Sequence, residues 1–126
     1  MRFDIENQLS VTQAFTGAAT VSTNSYAKGT AAQDISIGRR MALALFVAVA
    51  AGAGSTSVFE VIQADDAALT SNVQSLASIS VLAANLTKGN VVELPIPQGV
   101  MTKKYLGFRC TITGGTTTVT LDVYLM

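Results

Sequence analysis

Histidine and tryptophan are absent from this chain of 126 residues, and cysteine occurs once, at Cys110. Without histidine the sequence lacks the commonest general base and the commonest transition-metal ligand, and neither a Ser–His nor a Cys–His nucleophile pair can be built. A single cysteine forms no internal disulfide and no sulfur-ligated metal site. We therefore expect no catalytic residues, no cofactor, no metal ion and no small-molecule substrate.

Charged side chains are also scarce, at 13% of the residues, and eight basic residues balance eight acidic ones. Nucleic acid and anionic membranes both require clustered positive charge, so neither is expected as a partner. The uncharged run from Met41 to Gly54 is shorter than the roughly 18 residues that a membrane span needs. Charges at Arg2, Asp4 and Glu6 interrupt any N-terminal signal sequence, which predicts synthesis and retention inside the cell.

The residues that are abundant favour β-structure. Thr, Val and Ile together make up 35 of the 126 residues, and these β-branched side chains fit a pleated sheet better than a helix. We predict one all-β domain over residues 1–126, an antiparallel sandwich of seven to nine strands that is jelly-roll-like or a simpler Greek key. A neutral surface with few charges tends to associate, so a permanent protein partner is expected.

The C-terminal region carries the most detailed prediction. A two-residue turn at Gly114 and Gly115 would join the segments around it into one hairpin, with Leu106 opposite Val123 and the apolar side chains on one face.

The other face of that hairpin would pair Tyr105 with Tyr124 and bring Arg109 within reach of Asp122 for a cross-strand ion pair. The two tyrosines suit either a sugar-stacking platform or a protein contact. Because the chain has no tryptophan, we favour the protein contact.

In the middle of the chain, residues 41–50 are predicted to form a central strand covered on both faces, paired in a hairpin with residues 58–63 across a loop at 51–57. Pro95 and Pro97 flank Ile96, which predicts a sheet edge or a strand end there because proline donates no ladder hydrogen bond.

Each pair of charged residues that are adjacent in the sequence has a structural and a functional interpretation. We assign Asp65 and Asp66 to a turn or a cap rather than to catalysis or metal binding. The chain has two basic pairs, Arg39 with Arg40 and Lys103 with Lys104. Each pair either contacts an acidic partner surface or consists of solvated residues at the start of a strand.

The first 15 residues are predicted to form either an arm that orders on a neighbouring protein or an edge strand of the sandwich. The arm interpretation rests on three apolar side chains, which exceed what an isolated edge can hide: Phe3, Ile5 and Leu9.

Several short motifs in their order along the chain resemble the small cement, or decoration, proteins of short-tailed double-stranded-DNA bacteriophages. They are Phe3-Asp4, Asn7, Leu9-Ser10, Gln13-Ala14, Pro95-Ile96-Pro97, Gly99 and Lys103-Lys104-Tyr105-Leu106-Gly107. Residues 27 to 90 contribute little to the resemblance.

The resemblance implies a jelly-roll-like sandwich on the outer surface of a phage capsid, made in the host cytoplasm. It also implies homodimers that bridge neighbouring major capsid proteins and stabilise the shell. The tight hairpin at Gly114 conflicts with a jelly roll, whose last two strands lie in opposite sheets. A carbohydrate-binding β-sandwich and a fibre or tail structural subunit are the alternatives.

Overall fold

The chain forms a sandwich of two antiparallel sheets. The computed structural model describes residues 8–16, 20–27, 41–50, 56–97, 102–114 and 118–125. Within those ranges the strands are β1 (Gln8–Thr16), β2 (Thr20–Val21), β3 (Tyr26–Ala27), β4 (Met41–Val49), β5 (Thr56–Ala64), β6 (Gln74–Leu82), β7 (Val91–Ile96), β8 (Tyr105–Thr113) and β9 (Thr118–Leu125). One turn of 3₁₀ helix, Ala83–Asn85, follows β6.

The strand order identifies the topology. Sheet A has the order β1-β9-β4-β7, and sheet B has the order β2-β8-β5-β6, with β3 also paired to β8. Counting the two-residue strands β2 and β3 as one position, each sheet has four positions. Every connection between consecutive described strands crosses from one sheet to the other, except those from β2 to β3 and from β5 to β6. This strand order is that of a jelly roll. The predicted all-β sandwich is therefore confirmed, and of the two topologies left open the jelly roll is the one found.

The predicted C-terminal hairpin is wrong. Strand β8 pairs with β5, whereas β9 pairs with β1 and β4 in the opposite sheet. Alternation does predict correctly which side chains of each strand face the core, since Leu106 and Val123 are both buried. It cannot tell one sheet from the other, because both sheets face the same core from opposite sides.

The predicted pairing of residues 41–50 with 58–63 fails for the same reason, because β4 lies in sheet A and β5 in sheet B. The prediction of a central strand at residues 41–50 is confirmed: β4 lies between β9 and β7, and even its outward-facing Ala44 is only 1% exposed. Strand β7 contains Pro95, ends just before Pro97 and is one of the two edge strands of sheet A, which confirms the prediction made from the prolines.

The core between the sheets is centred on three fully buried phenylalanines. Phe15 of sheet A meets Phe108 of sheet B edge-on, with ring centroids 5.3 Å apart, and Phe59 lies 5.7 Å from the same ring. Such aromatic pairs add about 0.5–1.5 kcal/mol each to the free energy of burial. Cys110 is buried in this core, and desolvation raises the pKa of its thiol to about 12.

A second, smaller cluster lies on the outer face of sheet B. Ile62 and Ala64 of β5 pack there against Leu69, which belongs to the turn between β5 and β6. The turn approaches closely because Gly107 has no side chain: a Cβ at that position would stand 2.2 Å from Leu69 Cδ1. The chain thus covers one end of this outer face with its own turn.

Candidate interaction surfaces

The segment that precedes β8 is attached to sheet B through the buried amide of Gln63. Its Oε1 accepts hydrogen bonds from the backbone N–H groups of Thr102 and Lys103, at 2.9 and 3.2 Å. Its Nε2 donates to the Gln74 side chain at 2.9 Å and to the Thr102 hydroxyl at 3.2 Å. Because every donor and acceptor of this buried amide is used, the segment that carries Lys103 and Lys104 has a fixed position.

The two lysines of the predicted basic pair have different roles. Lys103 Nζ lies 3.2 Å from Asp65 Oδ1, and only 17% of the lysine side chain is exposed. Hydrogen bonds from Asn72 and then from Lys103 hold the pKa of Asp65 below its ordinary value. Lys103 therefore belongs to the chain's own turn, whereas Lys104 is exposed and places its ammonium group 5.4 Å from the ring centroid of Tyr105.

Asp66 shapes the turn, as predicted for this acidic pair. Its Oδ1 accepts the backbone N–H groups of Thr70 and Ser71, both at 2.8 Å, and its Oδ2 accepts the Thr70 hydroxyl at 2.6 Å. The Thr70 side chain first, and then the two backbone donors, lower the pKa of Asp66. These bonds hold Leu69 at a positive φ of 59°, over the second cluster.

Tyr105 and Tyr124 do not form a pair, so this part of the prediction is wrong. Tyr105 is half-buried against the second cluster on sheet B. Tyr124 lies in sheet A, where its ring packs edge-on to Phe46 with centroids 5.7 Å apart and its hydroxyl accepts a hydrogen bond from Gln8 Nε2 at 3.0 Å. The two tyrosines therefore provide no common stacking platform.

The predicted ion pair between Arg109 and Asp122 is also wrong, because these residues lie in different sheets. Arg109 Nε lies 2.6 Å from Glu60 Oε2, its direct neighbour across β8 and β5. Asp122 Oδ1 instead accepts the backbone N–H of Thr12 at 2.6 Å. This bond stabilises the irregular part of β1, where Thr12 has a φ of 43°.

The N-terminal candidates fall into two groups. Leu9 is 1% exposed and packs in the core of its own sandwich, because residues 8–16 form the edge strand β1 paired with β9. Leu9 is therefore unavailable to a neighbouring protein in this fold. The remaining candidates lie in two ranges outside the described residues, 1–7 and 28–40, and they stay predictions: Phe3, Ile5, Arg39 and Arg40.

Sequence reasoning did not identify strand β6 as a sheet edge or as a candidate interaction surface. Of its nine residues none is buried, and Ile79 and Leu82 are 38% and 59% exposed. The signal was available in the sequence, since residues 74–82 contain neither a charge nor a proline. A strand of that length and composition leaves an unprotected edge wherever it ends a sheet.

No chemically reactive cluster occurs in the part of the chain that the structure describes. No group of three potential metal ligands is found among those residues, and none of their helices is long and apolar enough to cross a membrane. Four acidic side chains bond within the fold: Glu60, Asp65, Asp66 and Asp122. The fold and its surfaces thus define a jelly-roll β-sandwich whose exposed features are a strand edge and isolated side chains.

Comparison with known proteins assigns this sandwich to a family. The model of the Bbp16 family matches residues 9–124, which extend from β1 into β9. The chain belongs to the Bbp16 family, which is phage-related. No curated protein matches it.

Among solved structures, one match is the N-terminal part of Clostridium thermocellum endo-1,4-β-D-xylanase 10B, comprising its CBM22-1 and GH10 modules in complex with xylohexaose. The identity is 15% and the TM-score is 0.44, over 96% of this chain and 26% of that one. A likeness at this level says nothing about what the present chain binds.

Proposed function

We propose that this chain is a capsid cement protein, which binds the outside of a phage head as a homodimer and bridges neighbouring major capsid proteins. The observation that carries the proposal is the extent of the family match, since residues 9–124 include nearly the whole sandwich. The sandwich itself is therefore the unit that the phage-related family shares. Its resemblance to cement proteins in the N-terminal and proline-flanked motifs supports the same assignment.

The composition supports a role in binding rather than chemistry. The chain has no histidine, and its single thiol is buried with a pKa raised to about 12. Thiolate chemistry requires an accessible group of lowered pKa, so Cys110 is unsuited to it. What the described surface offers a partner is backbone edge, exposed apolar side chains and a few single charges.

A cement protein of this kind would act by mass action. A ligand that binds the assembled shell and not the separated capsid proteins stabilises the shell by about 2.7 kcal/mol per site when its free concentration is 100 times the dissociation constant. Many sites on one shell multiply this effect, and a dimer that contacts two capsid proteins adds the advantage of bivalent binding. Moderate affinity per copy is then sufficient.

Co-sedimentation with shells assembled from the major capsid protein of the same phage tests the proposal. We expect the chain to sediment with these shells, not to bind the unassembled capsid protein, and to raise the temperature at which light scattering reports shell disruption. Failure to bind shells would contradict the proposal. Binding on a glycan array, or recovery in purified tails, would instead favour the carbohydrate-binding or the tail alternative.

A pair of matched variants tests the contact predicted at the exposed lysine. Lys104→Ala should weaken shell binding several-fold, because an exposed charge at an interface contributes to association. Lys88→Ala removes the same charge from the exposed turn before β7 and should leave shell binding unchanged. Equal effects of the two substitutions would remove Lys104 from the contact.

A further inference from the structure

Strand β6 differs from an ordinary edge strand in how little of it is covered. It pairs with β5 from Thr56 opposite Leu82 to Gln63 opposite Gln74, with one register irregularity at Leu76. Its other side has no strand partner among the described residues. None of its residues is buried, and its outer face carries the small side chains of Ser75, Ser78 and Ser80, all exposed.

The other sheet edges are protected in recognisable ways. Strand β7 exposes Glu93 and Pro95, and a charge and a proline both discourage edge pairing. Strand β1 has two register irregularities and a positive φ at Thr12, which twist it away from a flat edge. On the far side of sheet B, β2 and β3 have two residues each. Strand β1 is also long, uncharged and free of proline, so β6 differs from it in having one register irregularity rather than two and no residue of positive φ.

We propose that β6 pairs antiparallel with β6 of a second copy of this chain, so that the two B sheets become one continuous sheet across a two-fold axis. The inference deepens the proposed function, on whose homodimer it rests, by naming the strand that forms it. A two-fold axis brings the same strand from both copies together and pairs an uncharged edge with an uncharged edge.

The side chains of β6 suit a self-pairing register. With the axis at Ser78, the middle of the nine residues, Ser78 lies beside its own copy and Ile79 lies beside Ala77 of the other copy. The 38% of Ile79 that is exposed in a single chain then has an apolar neighbour. Small serines at the outer face allow the two strands to approach without steric conflict, and no like charges oppose one another.

The oligomeric state in solution tests the inference without any shells. Light scattering coupled to size-exclusion chromatography should give twice the 13.1 kDa of one chain at micromolar concentrations. Ser78→Lys sets two positive charges against each other at the axis and should raise the dimer dissociation constant at least about tenfold. Val91→Lys adds the same charge to an exposed site of edge strand β7 and should leave the dimer intact.

Cysteine substitution locates the axis. Directly opposed residues of antiparallel strands have Cα atoms about 4.5–5.5 Å apart, a separation that a disulfide accommodates. Mild oxidation of Ser75→Cys, Ser78→Cys and Ser80→Cys should cross-link Ser78→Cys most efficiently, while Val91→Cys stays uncross-linked. Native Cys110 does not compete, because it is 1% exposed.

Three outcomes would overturn the inference: a wild-type monomer at about 100 μM, equal dissociation by Ser78→Lys and Val91→Lys, or a dimer that none of the three β6 cysteines cross-links. Circular dichroism of each variant separates loss of pairing from loss of folding. A monomer that still sediments with shells would refute this pairing and leave the cement role standing. A cross-linked dimer that does not bind shells would support the β6 pairing and contradict the cement role.

Discussion

Strands β6 and β7 are the final strands of the two sheets on the same side of the sandwich, yet they are held in place differently. Strand β7 places Leu94 and Ile96 in the core, where they are 2% and 5% exposed, and turns Glu93 and Pro95 outward. Strand β6 has no buried residue at all. The comparison teaches that β7 is held by side chains fully buried in the core, whereas β6 is held by its ladder with β5 and by the partly buried Leu76, Ala77 and Val81.

The largest expected effect is the difference in unfolding free energy between equivalent truncations in β7 and in β6. Leu94→Ala should lower the free energy of unfolding by about 2–5 kcal/mol, because it leaves a cavity between the sheets. Ile79→Ala, the equivalent truncation in β6, should cost less than about 1 kcal/mol in the dilute monomer. Urea denaturation at low protein concentration measures both.

Repeating these unfolding measurements at higher protein concentration tests whether β6 pairs with a second copy. If β6 pairs with its own copy, the cost of Ile79→Ala should increase at concentrations where the dimer forms, while that of Leu94→Ala should not. Equal losses from the two substitutions in the monomer would show that β6 is as firmly anchored as β7, contrary to its burial.

An intermediate effect is expected at the turn that leads into β6. Gly107→Ala should lower the free energy of unfolding by about 1–3 kcal/mol, because the added Cβ would stand 2.2 Å from Leu69 Cδ1 and force that buried side chain to move. Gly107→Ala combined with Leu69→Ala should cost less than the sum of the two single substitutions, since the smaller side chain makes room. Additive costs would mean that the two positions do not share this contact.

The smallest expected effect is the pH dependence of the same turn. Because the pKa of Asp66 is lowered from its ordinary value of 3.8, its charged form stabilises the folded state above that value. This stabilisation is lost as the pH falls through the lowered pKa, so the urea midpoint should drop on acidification from pH 5 to pH 3.

Asp66→Asn isolates this contribution from that of the other carboxyl groups. The substitution keeps an oxygen that can accept the Thr70 and Ser71 N–H groups but removes the charge. It should therefore lower the midpoint at pH 6 and reduce its fall on acidification. A pH profile parallel to that of the wild type would contradict the assignment.

The sequence predicted well those features that depend on one strand at a time. Alternation identified the inward side chains of β8 and β9, proline identified β7 as an edge, and the apolar run identified β4 as a central strand. It also placed Asp66 in a turn. The overlooked edge at β6 belongs to the same class, because its lack of charge and proline is visible in the sequence although its position at the end of sheet B is not.

The candidate sites that combined two distant strands were wrong, since each required a particular partner. Tyr105 was matched with Tyr124 and Arg109 with Asp122 on the assumption that Gly114 folds β8 back onto β9. In the structure Arg109 meets Glu60, and Asp122 meets the backbone of Thr12. Leu9 was considered for an arm because nothing in its neighbourhood shows that β9 is available to pair with β1.

By itself, then, the amino-acid sequence determined that this protein is an all-β sandwich without histidine-based chemistry, and which face of most strands is buried. Only the tertiary structure decided which sheet each strand joins, and therefore which charges pair and which strand ends a sheet unprotected. The physical reason is that a period of two residues assigns side chains to an inner or an outer face. Two sheets that share one core satisfy that period equally well, so long-range pairing makes the choice.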